Sequence, residues 1–358
     1  MTTWRADVLG ENYEQHTIEL GSDPDGEGEI VATLVRYVPP KGTVPAPHST
    51  ALYIHGYSDY FFQRHLADRF AAQGYRFYAL DLRKCGRSQR PGLTPHFVTD
   101  LALYDEELNE ALRLIRKDAE GDDAGDGGAG TRVIVAAHST GGLIAPLWVD
   151  RLNREPGGAR GAGIRGLVLN SPWLDMQGSW WLRSIGTAAI EAVGRVQPMR
   201  IAQDAKFDGY GTSLHADRKG EWEYNLDWKP HGGYPARFGW LRAIRRGHFS
   251  LQRGLDVGVP ALILRSSKTW FSPHYVSEID SVDCVLDVKQ IARWAGCMGN
   301  RTLIVPIPGA RHDVFLSQKG AREEAFRELG EFLSWLPAYD GLARTASAAV
   351  STSTAVVS

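Results

Sequence analysis

A serine between a buried strand and a pair of glycines is the first feature of this sequence that could do chemistry. In "VIVAAHSTGG", residues 133–142, an apolar run leads into His138, Ser139 and the two glycines. A serine on a sharp strand-to-helix turn is held in a strained conformation that exposes its hydroxyl, and small neighbours keep the flanking chains apart. The pentapeptide "AHSTG" fits this pattern, with alanine where glycine is more frequent. We therefore predict a nucleophilic Ser139; the alternative is a turn that only caps a helix.

A serine hydroxyl is a weak nucleophile unless a neighbouring imidazole accepts its proton. Among the 11 histidines, His312 in "IPGARHDVFLS" is the strongest candidate for that base. It follows the last predicted strand through a glycine-containing turn, which brings its loop to the sheet edge that carries Ser139. Four other histidines are expected to be surface or cap residues: His215, His231, His248 and His274.

A carboxylate should fix the tautomer of the imidazole and stabilise its cation. It should follow the strand "PALILRS", and we predict Asp283, because "DCVLD" leads into a helix for which Asp287 is a suitable N-cap. The stretch from that strand to residue 283 is long, so three alternatives stay open: Asp175, Asp280 and Asp287.

Two backbone N–H groups are predicted to stabilise the oxyanion of an acyl-transfer intermediate, each worth roughly a hundred- to a thousand-fold in rate. Tyr57 follows a strand that ends in His55-Gly56, and Thr140 follows the serine. These positions make Tyr57 and Thr140 the expected donors. His55 and His138 are expected to be buried histidines that hydrogen-bond to backbone groups.

The elements around these residues predict a mostly parallel sheet. Two strand-like runs, "EQHTIEL" and "GEIVATLVRYV", flank a turn and predict an antiparallel start. Buried strands and amphipathic helices then alternate, which predicts parallel strands with crossover helices. About 90 residues between Asn170 and Pro260 break this alternation and form an aromatic-rich insertion.

Composition excludes several classes of function. Lys plus Arg total 40 and Asp plus Glu 42, so the net charge of -2 offers no field to steer nucleic acid or anionic lipid. The three cysteines have no C-x-x-C spacing and support neither a disulfide framework nor a zinc site. We expect no metal, no cofactor, no nucleic-acid partner and no stable membrane insertion. Few cysteines and the lack of a signal peptide or long apolar run predict a cytoplasmic location.

Taken together, residues 28–336 resemble the α/β-hydrolase superfamily, and within it the monoacylglycerol lipase-like serine hydrolases grouped with the serine aminopeptidases of family S33. His55-Gly56 resembles the family's oxyanion turn, and "AHSTGG" its Gly-His-Ser-x-Gly-Gly. Asp283-x-Val-x-Asp287 resembles the acid loop, and Gly309-x-x-His312 the histidine loop. The chain order of serine, acid and histidine is that of the α/β-hydrolase triad.

The segment "DLRKCGRS", residues 81–88, resembles the family's Asp-x-x-Gly-His-Gly-x-Ser loop with two departures. Lys84 stands at the usual glycine position and Cys85 at the usual histidine. Arg83 and Lys84 are expected to be solvated charges, and Cys85 a small buried hydrophobic residue.

The resemblance implies a mostly parallel eight-stranded sheet with helices on both faces and an inserted, mainly helical cap over Ser139. We expect a core in two parts, residues 1–172 and 256–338, a cap at 173–255 and a disordered tail at 339–358. Aromatic residues of the cap suit the walls of an apolar ligand site. The predicted substrate-binding residues are His55, Gly56, Trp173, Trp180 and Trp181.

These features predict a serine hydrolase that cleaves carboxylic esters through an acyl-enzyme on Ser139. The resemblance points to monoacylglycerol- or lysophospholipid-like substrates or other apolar acyl esters. The same triad suits an amidase, a peptidase, a thioesterase or an acyltransferase. A hydrophobic-ligand-binding protein without turnover is a further alternative, because a fold alone does not establish activity.

Overall fold

One mixed sheet of nine strands carries the fold, with helices on both faces. The computed structural model describes residues 3–40, 49–122, 131–176, 189–205, 208–272 and 274–354, without the side chains of 120–122 and 341–354. The strands are β1 (Arg5–Asp7), β2 (Gly10–Ser22), β3 (Glu29–Tyr37), β4 (Ser49–Ile54), β5 (Arg76–Asp81), β6 (Arg132–His138), β7 (Ile164–Asn170), β8 (Ile201–Gln203), β9 (Ala236–Arg237), β10 (Ala261–Ser266) and β11 (Thr302–Ile307). The helices are α1 (Arg64–Ala72), α2 (Asp105–Asp122), α3 (Gly141–Asn153), α4 (Gly158–Gly161), α5 (Gly209–Leu214), α6 (Phe238–Gln252), α7 (Val288–Trp294) and α8 (Lys319–Thr354).

The strand order is β1-β2-β3-β5-β4-β6-β7-β10-β11, and β8 pairs with β9 in a separate small sheet. The pairings from β1 to β5 are antiparallel, and those from β5 to β11 are parallel. This confirms the predicted α/β class and the mostly parallel sheet. The described sheet has nine strands rather than eight, because the short β1 adds to the edge of β2, and three residues are too few to show a strand pattern in sequence.

The central strands are buried on both faces, as expected where helices cover both sides of a parallel sheet. Alternate residues of β4 enter opposite cores. Leu52 and Ile54 pack in the core that contains α3 and α6, and Ala51 and Tyr53 pack in the core that contains α1 and α8. The two cores hold the sheet rigid, so the loops at the carboxyl ends of its strands have a fixed base.

The insertion between β7 and β10 contains the small β8–β9 sheet, α5, α6 and a helical stretch at 189–196. Helix α6 packs on the core through apolar residues that include Trp240 and Ile244. Trp180 and Trp181, two of the predicted substrate-binding residues, lie outside the described part of the chain.

The expectation that Arg83 and Lys84 are solvated is wrong, since both side chains are 0% exposed. Arg83 pairs with Glu107 of α2 at 2.5 Å, and the Nζ atom of Lys84 lies 2.5 Å from Asp23 and 2.8 Å from Glu27. A buried charge without a partner costs several kcal/mol. These acidic partners lie more than 20 residues away along the chain, so local sequence could not reveal them. Cys85 is buried as predicted.

Helix α8 runs continuously to Thr354 and overlaps the predicted tail, whose last four residues lie outside the described part of the chain. Among the helices that are described, none is both long enough and apolar enough to cross a membrane.

Candidate active site

Ser139 occupies a sharp turn between β6, which ends at His138, and α3, which begins at Gly141. Its φ is +52°, a left-handed conformation that costs a residue with a side chain about 1–3 kcal/mol. Backbone hydrogen bonds compensate this cost: the Ser139 N–H donates to the carbonyl of Asn170, and the Trp173 N–H donates to that of Ser139, both at 3.0 Å. The turn therefore has the strand–serine–helix geometry that the sequence predicts.

Two glycines after the serine allow neighbouring chains to approach it closely. A Cβ atom at Gly141 would lie 2.4 Å from the carbonyl oxygen of His55, and one at Gly142 would lie 2.6 Å from the Cβ of Pro172. Real Cβ atoms do not approach other atoms so closely, so any side chain would push α3 away from the strand ends. The glycine pair thus holds Ser139 against the ends of β4 and β7.

His312 lies between Ser139 and Asp283. Its Nε2 is 3.0 Å from the Oγ of Ser139, and its Nδ1 is 2.9 Å from the Oδ2 of Asp283. All three residues are buried. The other carboxylate oxygen of Asp283 accepts hydrogen bonds from the backbone N–H groups of Val285 and Leu286, at 2.9 and 2.7 Å. Those two bonds orient the carboxylate so that Oδ2 faces the imidazole.

The long approach to Asp283 folds back on the end of β10. The Asp283 N–H donates to the carbonyl of Lys268 at 2.9 Å, and the Trp270 N–H donates to that of Asp283 at 3.1 Å. This isolated bridge returns residue 283 to the sheet edge after a 3₁₀ turn at Ser277–Ser281. A salt bridge of 2.8 Å between Arg311 and Asp280 then ties the acid loop to the histidine loop.

The other candidate acids bind different groups. Asp175 forms a 3.0 Å ion pair with Arg245, and Asp280 binds Arg311 as described. Asp287 accepts from the N–H of Lys289 at 2.9 Å at the start of α7, which confirms its prediction as an N-cap. Of the four carboxylates considered, Asp283 is the one that the described contacts pair with His312.

Two residues that sequence reasoning missed support the histidine loop. Asn170, at the end of β7, donates from Nδ2 to Asp313 at 2.6 Å and accepts from the Val314 N–H at 3.1 Å. Tyr210 of α5 accepts a hydrogen bond from the Asp313 N–H at 3.1 Å, and its ring lies edge-on to His312 at 5.6 Å. Asn170 could have been suspected from its place after a buried strand, but Tyr210 depends on how the cap docks.

The predicted oxyanion residues, Tyr57 and Thr140, both line the cavity beside Ser139. His55 and Gly56, two of the predicted substrate-binding residues, are not among the residues that line this cavity. The Nε2 of His55 accepts from the Leu82 N–H at 3.1 Å, so its Nδ1–H donates to the carbonyl of Gly56 at 2.7 Å. These bonds agree with the expectation of a buried histidine held by backbone groups. Gly56 packs against the serine itself, since a Cβ there would lie 3.0 Å from that of Ser139.

His138 is buried as well, and its Nδ1 lies 3.2 Å from the carbonyl of Asn170, to which it can donate. Burial lowers the pKa of His138 and favours its neutral form. Its ring centre lies 4.8 Å from that of His312, and the neutral ring adds no positive charge beside it.

A cavity of about 800 Å³ opens over Ser139 between the sheet edge and the insertion. Trp173, one of the predicted substrate-binding residues, forms part of an apolar wall. Asp59 and Lys229 lie on another wall, 2.8 Å apart and both buried. Burial is the largest single influence and would raise the pKa of Asp59, but Lys229, His138 and His55 together outweigh it and lower that pKa to about 2. The cavity therefore combines an apolar side with a neutralised ion pair.

Comparisons with known proteins identify the family and the fold. The family model described as serine aminopeptidase, S33 matches residues 45–318. No curated protein sequence matches the chain significantly. Solved structures match over most of their length. A soluble variant of monoglyceride lipase from Saccharomyces cerevisiae, in complex with a substrate analogue, is 16% identical with a TM-score of 0.63, and the match covers 93% of this chain and 98% of that one.

Two further structures are similar. A thermostable carboxyl esterase from Bacillus coagulans, in complex with glycerol, is 14% identical with a TM-score of 0.58, covering 90% of this chain and 98% of that one. A monoacylglycerol lipase from Paleococcus ferrophilus is 17% identical with a TM-score of 0.50, covering 89% and 98%. At these identities the likeness establishes the α/β-hydrolase fold. Because the family model spans well over half of the sequence, the chain belongs to the serine aminopeptidase S33 family of α/β-hydrolases.

Proposed function

We propose that the protein hydrolyses carboxylic esters through a covalent acyl-enzyme on Ser139. The observation that carries this proposal is the continuous hydrogen-bonded chain from Ser139 through His312 to Asp283, at 3.0 and 2.9 Å, on the wall of the cavity. A hydroxyl within hydrogen-bond reach of an imidazole that is oriented by a carboxylate is the arrangement that activates a serine.

In the proposed reaction, the Oγ of Ser139 attacks the acyl carbon while its proton passes to the Nε2 of His312. The Nδ1–H of the imidazole donates to Asp283, whose charge stabilises the imidazolium. The N–H groups of Tyr57 and Thr140 stabilise the oxyanion. His312 then gives its proton to the leaving alcohol. A water molecule, deprotonated by the same histidine, releases the acid and restores the serine.

The cavity supports an apolar acyl group of medium or long chain. Trp173, Trp240 and Leu241 line one side, and burial of each methylene against such a wall contributes about 0.8 kcal/mol. The similar solved structures include a monoglyceride lipase and a carboxyl esterase, and these names support a carboxylic ester as the substrate.

A fluorophosphonate probe tests the nucleophile. We expect stoichiometric labelling of the wild type, none of Ser139→Ala, and full labelling of Ser334→Ala, a control on the exposed face of α8. Folded wild-type protein that resists labelling would contradict the hydrolase and favour a protein that only binds ligands.

A substrate panel then tests the class of bond and the acyl chain. We expect kcat/KM to rise from acetate to octanoate p-nitrophenyl esters and to exceed that for matched amides, thioesters and peptides. A preference for acetate would contradict the apolar acyl site, and higher rates on peptides would replace the esterase by a peptidase.

A further inference from the structure

Three side chains of the insertion form a cluster apart from Ser139, His312 and Asp283. His215, Asp217 and His231 each offer one ligand atom, and these atoms lie within 4.8 Å of one another. The two imidazole rings are nearly perpendicular, with centroids 5.4 Å apart. The Nε2 of His231 is 3.2 Å from the carboxylate of Asp217, and the Nδ1 of His215 is 2.7 Å from the same carboxylate.

The hydrogen bonds of His215 show which of its ring nitrogens faces the cluster. Its Nε2 lies 3.1 Å from the carbonyl of Tyr224, an acceptor, so this nitrogen carries a proton. Its Nδ1 lies within reach of both the Asp217 N–H, at 3.2 Å, and a carboxylate oxygen of Asp217, at 2.7 Å. Either a ring proton or a bound cation shared by Nδ1 and the carboxylate would satisfy the shorter contact.

Metal-binding histidines almost always donate their second ring N–H to a carbonyl or carboxylate, which fixes the tautomer and aims the other nitrogen at the ion. The bond from His215 to the Tyr224 carbonyl is of this kind. We propose that His215, Asp217 and His231 bind a divalent transition metal, with Zn²⁺ the best match to two imidazoles and one carboxylate.

Tetrahedral coordination requires some movement of the side chains, because the three ligand atoms lie within 4.8 Å of one another rather than at equal distances. Ligand bonds of about 2.0–2.1 Å put neighbouring ligand atoms roughly 3.3 Å apart. The Nε2 of His231 lies 3.2 Å from the carboxylate of Asp217, which is close to that separation. The Nδ1 of His215 lies only 2.7 Å from it, and a rotation of Asp217, whose side chain is 44% exposed, lengthens that distance. That exposure also leaves an open side where water completes the four ligands.

The metal would fix one wall of the cavity, because it joins two distant points of the insertion. His231 lines the cavity together with Lys229 and Tyr234, whereas His215 and Asp217 lie at the start of the loop that leads there. That loop is anchored to the core through Trp222, whose Nε1–H donates to the carbonyl of Leu316 at 2.9 Å. Metal binding therefore holds the substrate-facing wall against the core, and it does not depend on the proposed ester hydrolysis.

Titration calorimetry with Zn²⁺ alone, on full-length chelator-treated protein without a histidine tag, tests the site. We expect one Zn²⁺ per chain, and a loss of affinity of about 100-fold or more in His215→Ala, His231→Ala and Asp217→Asn. His274→Ala, an exposed histidine elsewhere in the chain, and Ser139→Ala should bind as the wild type does. Co²⁺ should give the visible absorption bands of a tetrahedral site, and Zn²⁺ should raise the midpoint of thermal unfolding.

Asp217→Asn changes one exposed oxygen and keeps the shape of the side chain, so it separates loss of a ligand from loss of folding. Wild-type protein that binds no Zn²⁺ would overturn the proposal and leave the cluster as histidine–aspartate hydrogen bonds. Binding that persists in all three cluster variants would overturn it as well, because the ion would then bind elsewhere.

Discussion

Replacement of Asp283 by asparagine tests whether the carboxylate acts by fixing the tautomer of His312. One oxygen of Asp283 accepts from the N–H groups of Val285 and Leu286, and the other faces the Nδ1 of His312. In Asp283→Asn, the amide oxygen keeps the two backbone bonds and the NH₂ group turns to His312. That group donates to Nδ1, so the ring proton moves to Nε2, which can no longer accept the proton of Ser139.

The size of the effect follows from the two backbone bonds. Turning the amide so that its oxygen meets His312 would leave the two N–H groups facing an NH₂ group, at about 1–3 kcal/mol each. The productive tautomer is thus disfavoured by about 2–6 kcal/mol. At 1.36 kcal/mol for each factor of ten, kcat should fall by about 30- to 10⁴-fold. KM should change little, because Asp283 is buried beneath His312.

The assay is steady-state hydrolysis of a p-nitrophenyl ester, with the rate of fluorophosphonate labelling as a second measure. Asp287→Asn is the matched control: asparagine also caps helices, so α7 and the activity should be kept. Far-UV circular dichroism and the midpoint of urea unfolding check that both variants are folded. A kcat for Asp283→Asn within threefold of the wild type would refute the tautomer argument and with it the role of Asp283.

Two other substitutions test the packing around the site. Gly142→Ala should lower the free energy of unfolding by about 1–3 kcal/mol, because its Cβ would overlap a proline, whereas Gly296→Ala, with open space around it, should stay near zero in urea titrations. Lys229→Met should lower the free energy of unfolding by about 3–5 kcal/mol at pH 7, because Asp59 loses its buried partner. The folded-state pKa of Asp59 is lowered from 3.8 to about 2, so its contribution to stability is lost as the carboxylate becomes protonated. The free energy of unfolding of the wild type should therefore fall by about 2 kcal/mol between pH 4 and a pH below 2, and that of Lys229→Met should not. A Lys229→Met loss below 1 kcal/mol would contradict the importance of the pair.

Local sequence was enough for the turn at Ser139 and for the type of fold. An apolar run, a serine and two glycines determine a strand, a strained turn and a helix, because all the interactions involved lie within a few residues or require only small neighbours. The alternation of buried strands with amphipathic helices determines a parallel sheet, and the carboxyl ends of such strands meet at one edge. His312 could be placed near Ser139 on that basis.

Only the tertiary structure shows which carboxylate contacts His312 and that Arg83 and Lys84 are buried charges. Asp283 differs from Asp280 and Asp287 in sequence by position alone, and the bridge to Thr269 that returns it to the sheet edge forms through backbone atoms. Lys84 looks like a surface residue until the turn between β2 and β3 brings Asp23 to it. The energies of these contacts depend on which distant segments meet and how far water is excluded between them, and neither property belongs to any one stretch of the chain.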